Sequence, residues 1–462
     1  MATPKLMTEP LYHLQERMQQ ARAQTDSLFA LLRPDAVYDR PIPERHRLIF
    51  YLGHLESFDW NLLGRDTFGL PSVNPGFEKL FAFGIDPVDG KLPSDQPADW
   101  PPVAEIQAYN TKLRDQIDDA VRAPSAKLAA EAAAASLDTL LNVAIEHRLM
   151  HAETLAYLLH QLTVEKKIAP RIPSPRTVGI AASQAVAPRM TAIPEGEATL
   201  GMQREHGEFG WDNEFEELHV FVPRFDIGVS PVTNGEYLEF VRSDGYENKA
   251  HWGAEDWQWI TSQGISHPLF WEGNGNDGRN ARNDDGASWK YRGMFAHIPL
   301  PLDWPVYVSH AEASAYARWA KRALPSEAQW HRAAYGTAPG ARNGEPLYPW
   351  GDADATTERG NFDFARWDPT PVNAHPSGQS AFGVHDLLGN GWEWTSTPFA
   401  PLPGFKPFSF YPGYSANFFD GKHFVMKGGS QRTAACMLRR SFRNWFQPHY
   451  PYVYAKFRTV EE

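Results

Sequence analysis

Residues 383–395 read Gly-Val-His-Asp-Leu-Leu-Gly-Asn-Gly-Trp-Glu-Trp-Thr. Asn390-Gly391 supplies the positive-φ geometry of a tight turn, and Trp392 and Trp394 then fall on one side of an extended segment. Upstream, 324–330 read Leu-Pro-Ser-Glu-Ala-Gln-Trp, a turn entering a helix. Downstream, 427–430 read Lys-Gly-Gly-Ser, and Arg440 and Arg443-Asn444 follow. The chain around these segments carries 16 Trp, 35 Gly and 38 Pro in 462 residues, which describes loop-rich architecture pinned by large rings.

The bulk numbers narrow the function. A formal net charge of -12 argues against a nucleic-acid partner, which needs clustered Lys and Arg. No apolar run of about 18 residues occurs, so no membrane span is expected, and residues 1–12 show no secretory signal. A single cysteine, Cys436, rules out an intramolecular disulfide and a thiolate-built zinc or iron–sulfur site. It fits a reducing, cytoplasmic setting and is expected to be a small buried residue. No protein partner is evident.

Two textures divide the chain. Residues 1–165 read as helical: 11–32, a helix opened by Pro43-Glu44-Arg45 and running past His54 toward Leu63, 103–121, and one or two Ala- and Leu-rich helices over 125–162. Four main helices suggest a bundle. Residues 166–197 are rich in Pro, Ala and Ser without periodicity and read as an interdomain linker. Residues 198–462 are mixed: strand-like runs at 219–222, 225–229 and 423–427 alternate with loops, and helices are predicted over 234–243 and 310–323. The fold class is α+β.

The clearest chemistry in the first half is Glu146-His147-Arg148-Leu149-Met150-His151-Ala152-Glu153. His147 and His151 lie four apart, so a helix places both imidazoles on one face. A zinc-protease reading fails because it needs Glu directly after the first His, where this chain has Arg148. A third ligand has to come from elsewhere, and His54, on a mostly apolar helix, is the candidate. His46 and His160 read as solvated or hydrogen-bonded structural residues, and Glu153 as a second-layer acceptor or a solvated helix charge. Three neutral imidazoles suit iron, zinc, copper or nickel, and leave coordination positions open.

Further motifs carry a resemblance. Pro231-Val232-Thr233-Asn234 with Tyr237 and Phe240-Val241, then Pro305-Val306, Val308-Ser309, Glu312-Ala313, Tyr316-Ala317 and Trp319, precede the segments quoted above. In this order they resemble the formylglycine-generating-enzyme-like domain, implying a compact, C-type-lectin-like α+β fold over 198–462. Formylglycine generation needs a cysteine pair, which this chain lacks. The first half, through His46-Arg47-Leu48-Ile49-Phe50-Tyr51-Leu52-Gly53-His54 and the His147–His151 segment, resembles the helical metal-binding domain of ergothioneine- and ovothiol-pathway sulfoxide synthases. Its motifs are closer to the ovothiol type, although no methyltransferase domain follows within the 462 residues.

That resemblance implies an Fe(II)- and O2-dependent enzyme with His54, His147 and His151 as iron ligands. The chemistry implied is a carbon–chalcogen bond at the imidazole C2 of hercynine. Asn444 and Trp445 occupy the acceptor-binding segment, with Arg443 before them, and Met150 stands where relatives often have a polar contact. Tyr411 and Tyr414 are the candidate proton donors. Phe446 stands where ergothioneine-type enzymes are expected to carry a polar or acidic anchor for an amino-acid thiol. This favours a neutral selenosugar donor, as in selenoneine synthase, over γ-glutamylcysteine or cysteine. A reading of another class is a non-catalytic lectin-like binding protein beside a structural bundle or a zinc site.

Overall fold

The computed structural model describes residues 11–82, 93–122, 135–170, 185–273, 289–337 and 344–461. The chain divides into two compact units: Met1–Arg171 with His206–Phe209, and Ile172–Glu205 with Gly210–Glu462. No described helix is long and apolar enough to cross a membrane.

The first unit is helical: α1 (Leu11–Phe29), α2 (Leu48–Asp59), α3 (Pro75–Leu80), α4 (Val103–Arg122) and α5 (Leu137–Gln161). α4 is amphipathic. Ile106, Tyr109, Leu113, Ile117 and Val121 recur at helical spacing and are buried. α5 is buried on nearly every face, as expected of a helix that is apolar all round, and Ser136 caps it by accepting the Thr139 N–H. Residues 123–134, where a helix was also expected, lie outside the described residues.

The expectation that Pro43 opens α2 is corrected. The stretch 41–46 is made of turns, with Ile42 O accepting the Arg45 N–H at 3.1 Å and Asp39 O accepting the Leu48 N–H at 3.0 Å. Pro41 and Pro43 each push the preceding residue out of helical geometry, so the helix waits until Leu48. α2 then widens into a π-helical segment, Trp60–Arg65.

The second unit combines four small sheets with helices. Strands β8 (Gly391–Pro398), β9 (Phe424–Gly429), β10 (Asn444–Phe446) and β11 (Ala455–Lys456) pair in the order β10-β9-β8-β11. β1 (Met190–Ile193), β4 (Phe225–Gly228) and β12 (Val460–Glu461) pair as β1-β4-β12; β2 (Gly196–Leu200) pairs with β3 (Leu218–Val222). β5 (Trp271–Glu272), β6 (Lys290–Arg292) and β7 (His297–Pro299) form the fourth sheet. The helices are α6 (Asn234–Arg242), α7 (Ala254–Gln263), α8 (His310–Trp319) and α9 (Glu327–Tyr335). Reciprocal capping boxes start three of them: Thr233 with Glu236, Ser309 with Glu312 and Ser326 with Gln329.

Two expectations change here. The described end of 166–197 is not all linker: Met190–Ile193 pairs with β4 and Gly196–Leu200 with β3, through backbone bonds that leave little side-chain pattern. Residues 171–184 of that stretch lie outside the described residues. Cys436 is exposed, on the single turn Ala435–Met437, so it is not a core residue. β8 itself buries both faces over its first five residues, 391–395.

That last point has a physical cause. Asn390 takes φ 60° and Gly391 φ 120°, and the Asn390 side chain ties the turn by accepting the Thr370 N–H at 2.8 Å and donating to Asp386 Oδ2 at 2.9 Å. Trp394 then donates to Val308 O at 2.9 Å. Between the two tryptophans, the fully buried Glu393 accepts from Arg458 Nε and Nη2, each at 2.6 Å, and from Trp330 Nε1 at 2.9 Å. The carboxylate is thus paired on the face opposite the rings. Glu393→Gln leaves Arg458 buried without its counter-charge and is expected to cost about 3–5 kcal/mol, read as a lower urea midpoint at unchanged slope.

Candidate metal centre

α5 sets His147 and His151 one turn apart, and their Nε2 atoms approach to 3.2 Å. α2 brings His54 to them, its ring centre 5.5 Å from that of His147 and 5.0 Å from that of His151. All three are buried, and one nitrogen from each lies within 4.8 Å of the others, so the group can hold a metal ion. With metal–nitrogen bonds of about 2.0–2.1 Å, neighbouring ligand nitrogens sit roughly 3 Å apart, which the His147–His151 separation matches.

The surroundings orient the rings. His54 Nδ1 donates to Phe81 O at 2.7 Å, a bond that leaves the Nε2 lone pair free to coordinate. Phe58 stacks on His147 with ring centres 3.5 Å apart and planes 13° apart, and Phe50 stacks on His54 at 4.8 Å. Phe50 and Phe58 are four residues either side of His54, so one helical face carries all three rings. Burial pushes the His54 pKa down to about 4, against the opposing pull of the Phe81 carbonyl. Burial, with the other imidazoles, also holds His147 and His151 well below the usual imidazole range. Three neutral rings with inward nitrogens form a donor set for a borderline divalent cation.

Beside the group runs a buried charge network. Arg148 forks onto Glu56, with Nη1–Oε1 and Nη2–Oε2 both 2.9 Å, and Nη2 also reaches Asp59 Oδ2 at 2.6 Å and Leu55 O at 3.1 Å. Arg114 of α4 adds bonds of 2.6 and 2.9 Å to Glu56 Oε1 and pairs with Asp26 of α1. Glu153 is buried, which sets aside its reading as a solvated helix charge. His160 is buried too, and His46 stacks on Phe50 at 4.1 Å. Met150 is half-buried on α5, its carbonyl accepting from Thr154 Oγ1 at 3.1 Å.

The second unit gathers the other sequence-derived residues around an aromatic cluster. Trp445 on β10 stacks on Phe399 at 4.1 Å, with Tyr414 edge-on at 5.5 Å. Tyr414 stacks on Trp211 at 3.9 Å, and Tyr411 lies 5.6 Å from Tyr414. Asn444 Oδ1 accepts the Trp445 N–H at 2.8 Å. Phe446 stacks on Tyr450 at 5.2 Å. Arg443 is buried and committed to Glu327, at 2.9 and 3.1 Å, and to Ala400 O at 3.0 Å, which makes it a structural cation.

Sequence reasoning missed Phe58, the Phe81 carbonyl and the Arg148 network. For Phe58 a signal existed in its spacing from His54. Nothing local announces a carbonyl 27 residues away or a guanidinium turned inward.

Residues 177–462 match the Sulfatase-modifying factor enzyme 1-like domain, and residues 17–155 match the DinB superfamily. A hercynine oxygenase of Mycolicibacterium thermoresistibile is 32% identical over 428 residues, covering 89% of this chain and 86% of the relative. The hercynine oxygenase of Mycobacterium tuberculosis is 38% identical over 264 residues, 56% of this chain and 58% of the relative. Ergothioneine biosynthesis protein 1 of Neurospora crassa is 30% identical over 496 residues, covering 94% of this chain and 56% of the relative; this chain spans about half the length of that fungal protein.

The histidine burial has a measurable pH signature. The folded-state pKa of His54, about 4, lies below the ordinary value of 6.5, so the unfolded chain takes up the proton first. The metal-free protein is expected to lose stability as pH falls from 6.5 toward 4, seen as a falling calorimetric melting temperature. A flat profile through that window would contradict a buried neutral His54.

Proposed function

The chain belongs to the family of Sulfatase-modifying factor enzyme 1-like proteins that includes the hercynine oxygenases, and we propose that it is a non-haem Fe(II)- and O2-dependent enzyme joining a chalcogen to the imidazole C2 of hercynine. The observation that carries this reading is the buried convergence of His54, His147 and His151.

These three residues would hold the ferrous ion. When bound, it supplies acidification of the chalcogen donor and redox chemistry with O2. The chain's own residues do the rest. Phe81 O fixes the tautomer of His54, and Phe58 covers one face of His147. Trp445 and Tyr414 offer aromatic faces suited to the trimethylammonium group of hercynine. Tyr411 or Tyr414 supplies the proton, its hydroxyl serving as the general acid.

For the donor we favour a neutral selenosugar. Position 446 carries a phenylalanine stacked on Tyr450, which gives an amino group no ionic partner at that residue but offers a sugar ring an apolar surface. A thiol donor, γ-glutamylcysteine or cysteine, is the second reading. It is favoured by relatives whose names place them in ergothioneine biosynthesis.

One assay separates them. Fe(II)-loaded protein, hercynine and each donor in turn are exposed to air, and the adduct is identified by mass spectrometry. A C–Se product is expected from the selenosugar. A C–S product from a thiol with none from the selenosugar would overturn the donor assignment, and no adduct from any donor would overturn the enzyme reading. His147→Ala should lower turnover at least 100-fold, whereas Trp445→Ala should chiefly raise the KM for hercynine, about tenfold, as loss of a cation–π contact of some 1–2 kcal/mol requires.

A further inference from the structure

Arg148 occupies the place where a helical zinc-protease motif would hold its catalytic glutamate, immediately after the first histidine. Its guanidinium is fully buried and points at α2, not at solvent. Glu56 and Asp59, its partners, are three residues apart on that helix and follow His54 by two and five positions. One side chain therefore joins the two helices that supply all three imidazoles, directly after His147 on one and two and five positions past His54 on the other.

Metal sites are demanding about distance. Ligand bonds are held to within about 0.2 Å, whereas sliding one helix past another by a single residue moves a side chain about 1.5 Å. Apolar packing between α2 and α5 is non-directional and sets register weakly. A planar guanidinium bonded to both oxygens of Glu56 and to Asp59 is directional, and only one register satisfies it. Arg114 of α4, itself held by Asp26 of α1, braces Glu56, so the acceptor is itself fixed.

We infer that Arg148 is a positioning residue for the metal centre, setting through its fork to Glu56 and Asp59 the helix register that places His54 opposite His147 and His151. The inference rests on the metal reading above. Its distinctive consequence is that Arg148 acts on metal affinity through His54. Lysine keeps the charge but loses the fork, so Arg148→Lys is the informative variant.

The test uses the full chain and Co(II) as the probe, with affinity read by competition against a chromophoric chelator and geometry by the visible absorption bands. Arg148→Lys should weaken Co(II) binding at least tenfold and alter the bands. In a His54→Ala background the same substitution should change the remaining affinity less than twofold. Equal losses in both backgrounds, or wild-type affinity in Arg148→Lys, would overturn the positioning role. Failure of the wild type to bind one Co(II) per chain would instead remove the metal reading itself. Circular dichroism checks that each variant folds. Should Arg148→Lys not fold, Asp59→Ala, which removes one acceptor of the guanidinium, carries the same pair of measurements.

Discussion

Buried charge is the constraint around which both units are arranged. Taking a guanidinium or a carboxylate out of water costs several kcal/mol, so each has to meet its partner in defined geometry. Arg148 meets Glu56 and Asp59 in the first unit; Arg458 meets Glu393 in the second. Burial alone would raise the Glu56 pKa, yet the cations Arg148 and Arg114 more than offset it and hold the carboxyl at about 2. Asp59 goes the other way, raised by burial that Arg148 only partly offsets. A helix pair packed by leucines alone tolerates a slip; one that must satisfy such a fork does not.

The second unit solves a related problem with less regular structure. Its strands are two to eight residues long, and few offer enough paired backbone to stand by themselves. Rings and buried polar side chains take over. Trp211 on Tyr414 ties two loops together, Trp445 on Phe399 pins a loop to β10, and Asn390 closes the turn before β8 with four side-chain bonds to Thr370 and Asp386. The high tryptophan content follows from this: large rings order irregular chain where ladders are short.

Local chemistry was readable wherever a short range of sequence carried it. The turn entering a helix at Ser326, the Asn390-Gly391 turn and the helical pattern of α4 each involve residues within a few positions of one another. The start of α2 was misplaced because one proline was taken as a first-turn residue when two prolines close together hold the chain in turns. Strand β1 and the first two residues of β2 were taken for linker because edge pairing runs through the backbone, which leaves little trace in side-chain pattern. Cys436 was assigned to the interior from residue type alone, and type does not say which way a single turn faces.

For the candidate site the division is clear. Sequence by itself determined that His147 and His151 share a helix face, because a four-residue spacing on a helix permits nothing else, and that no site built from several thiolates could form. Only the tertiary structure decided that His54 joins the pair, that its ring is turned by the Phe81 carbonyl, and that Arg148 faces inward. These depend on the register of two helices almost a hundred residues apart in sequence, and register is a property of packed surfaces and paired charges, which no local pattern encodes.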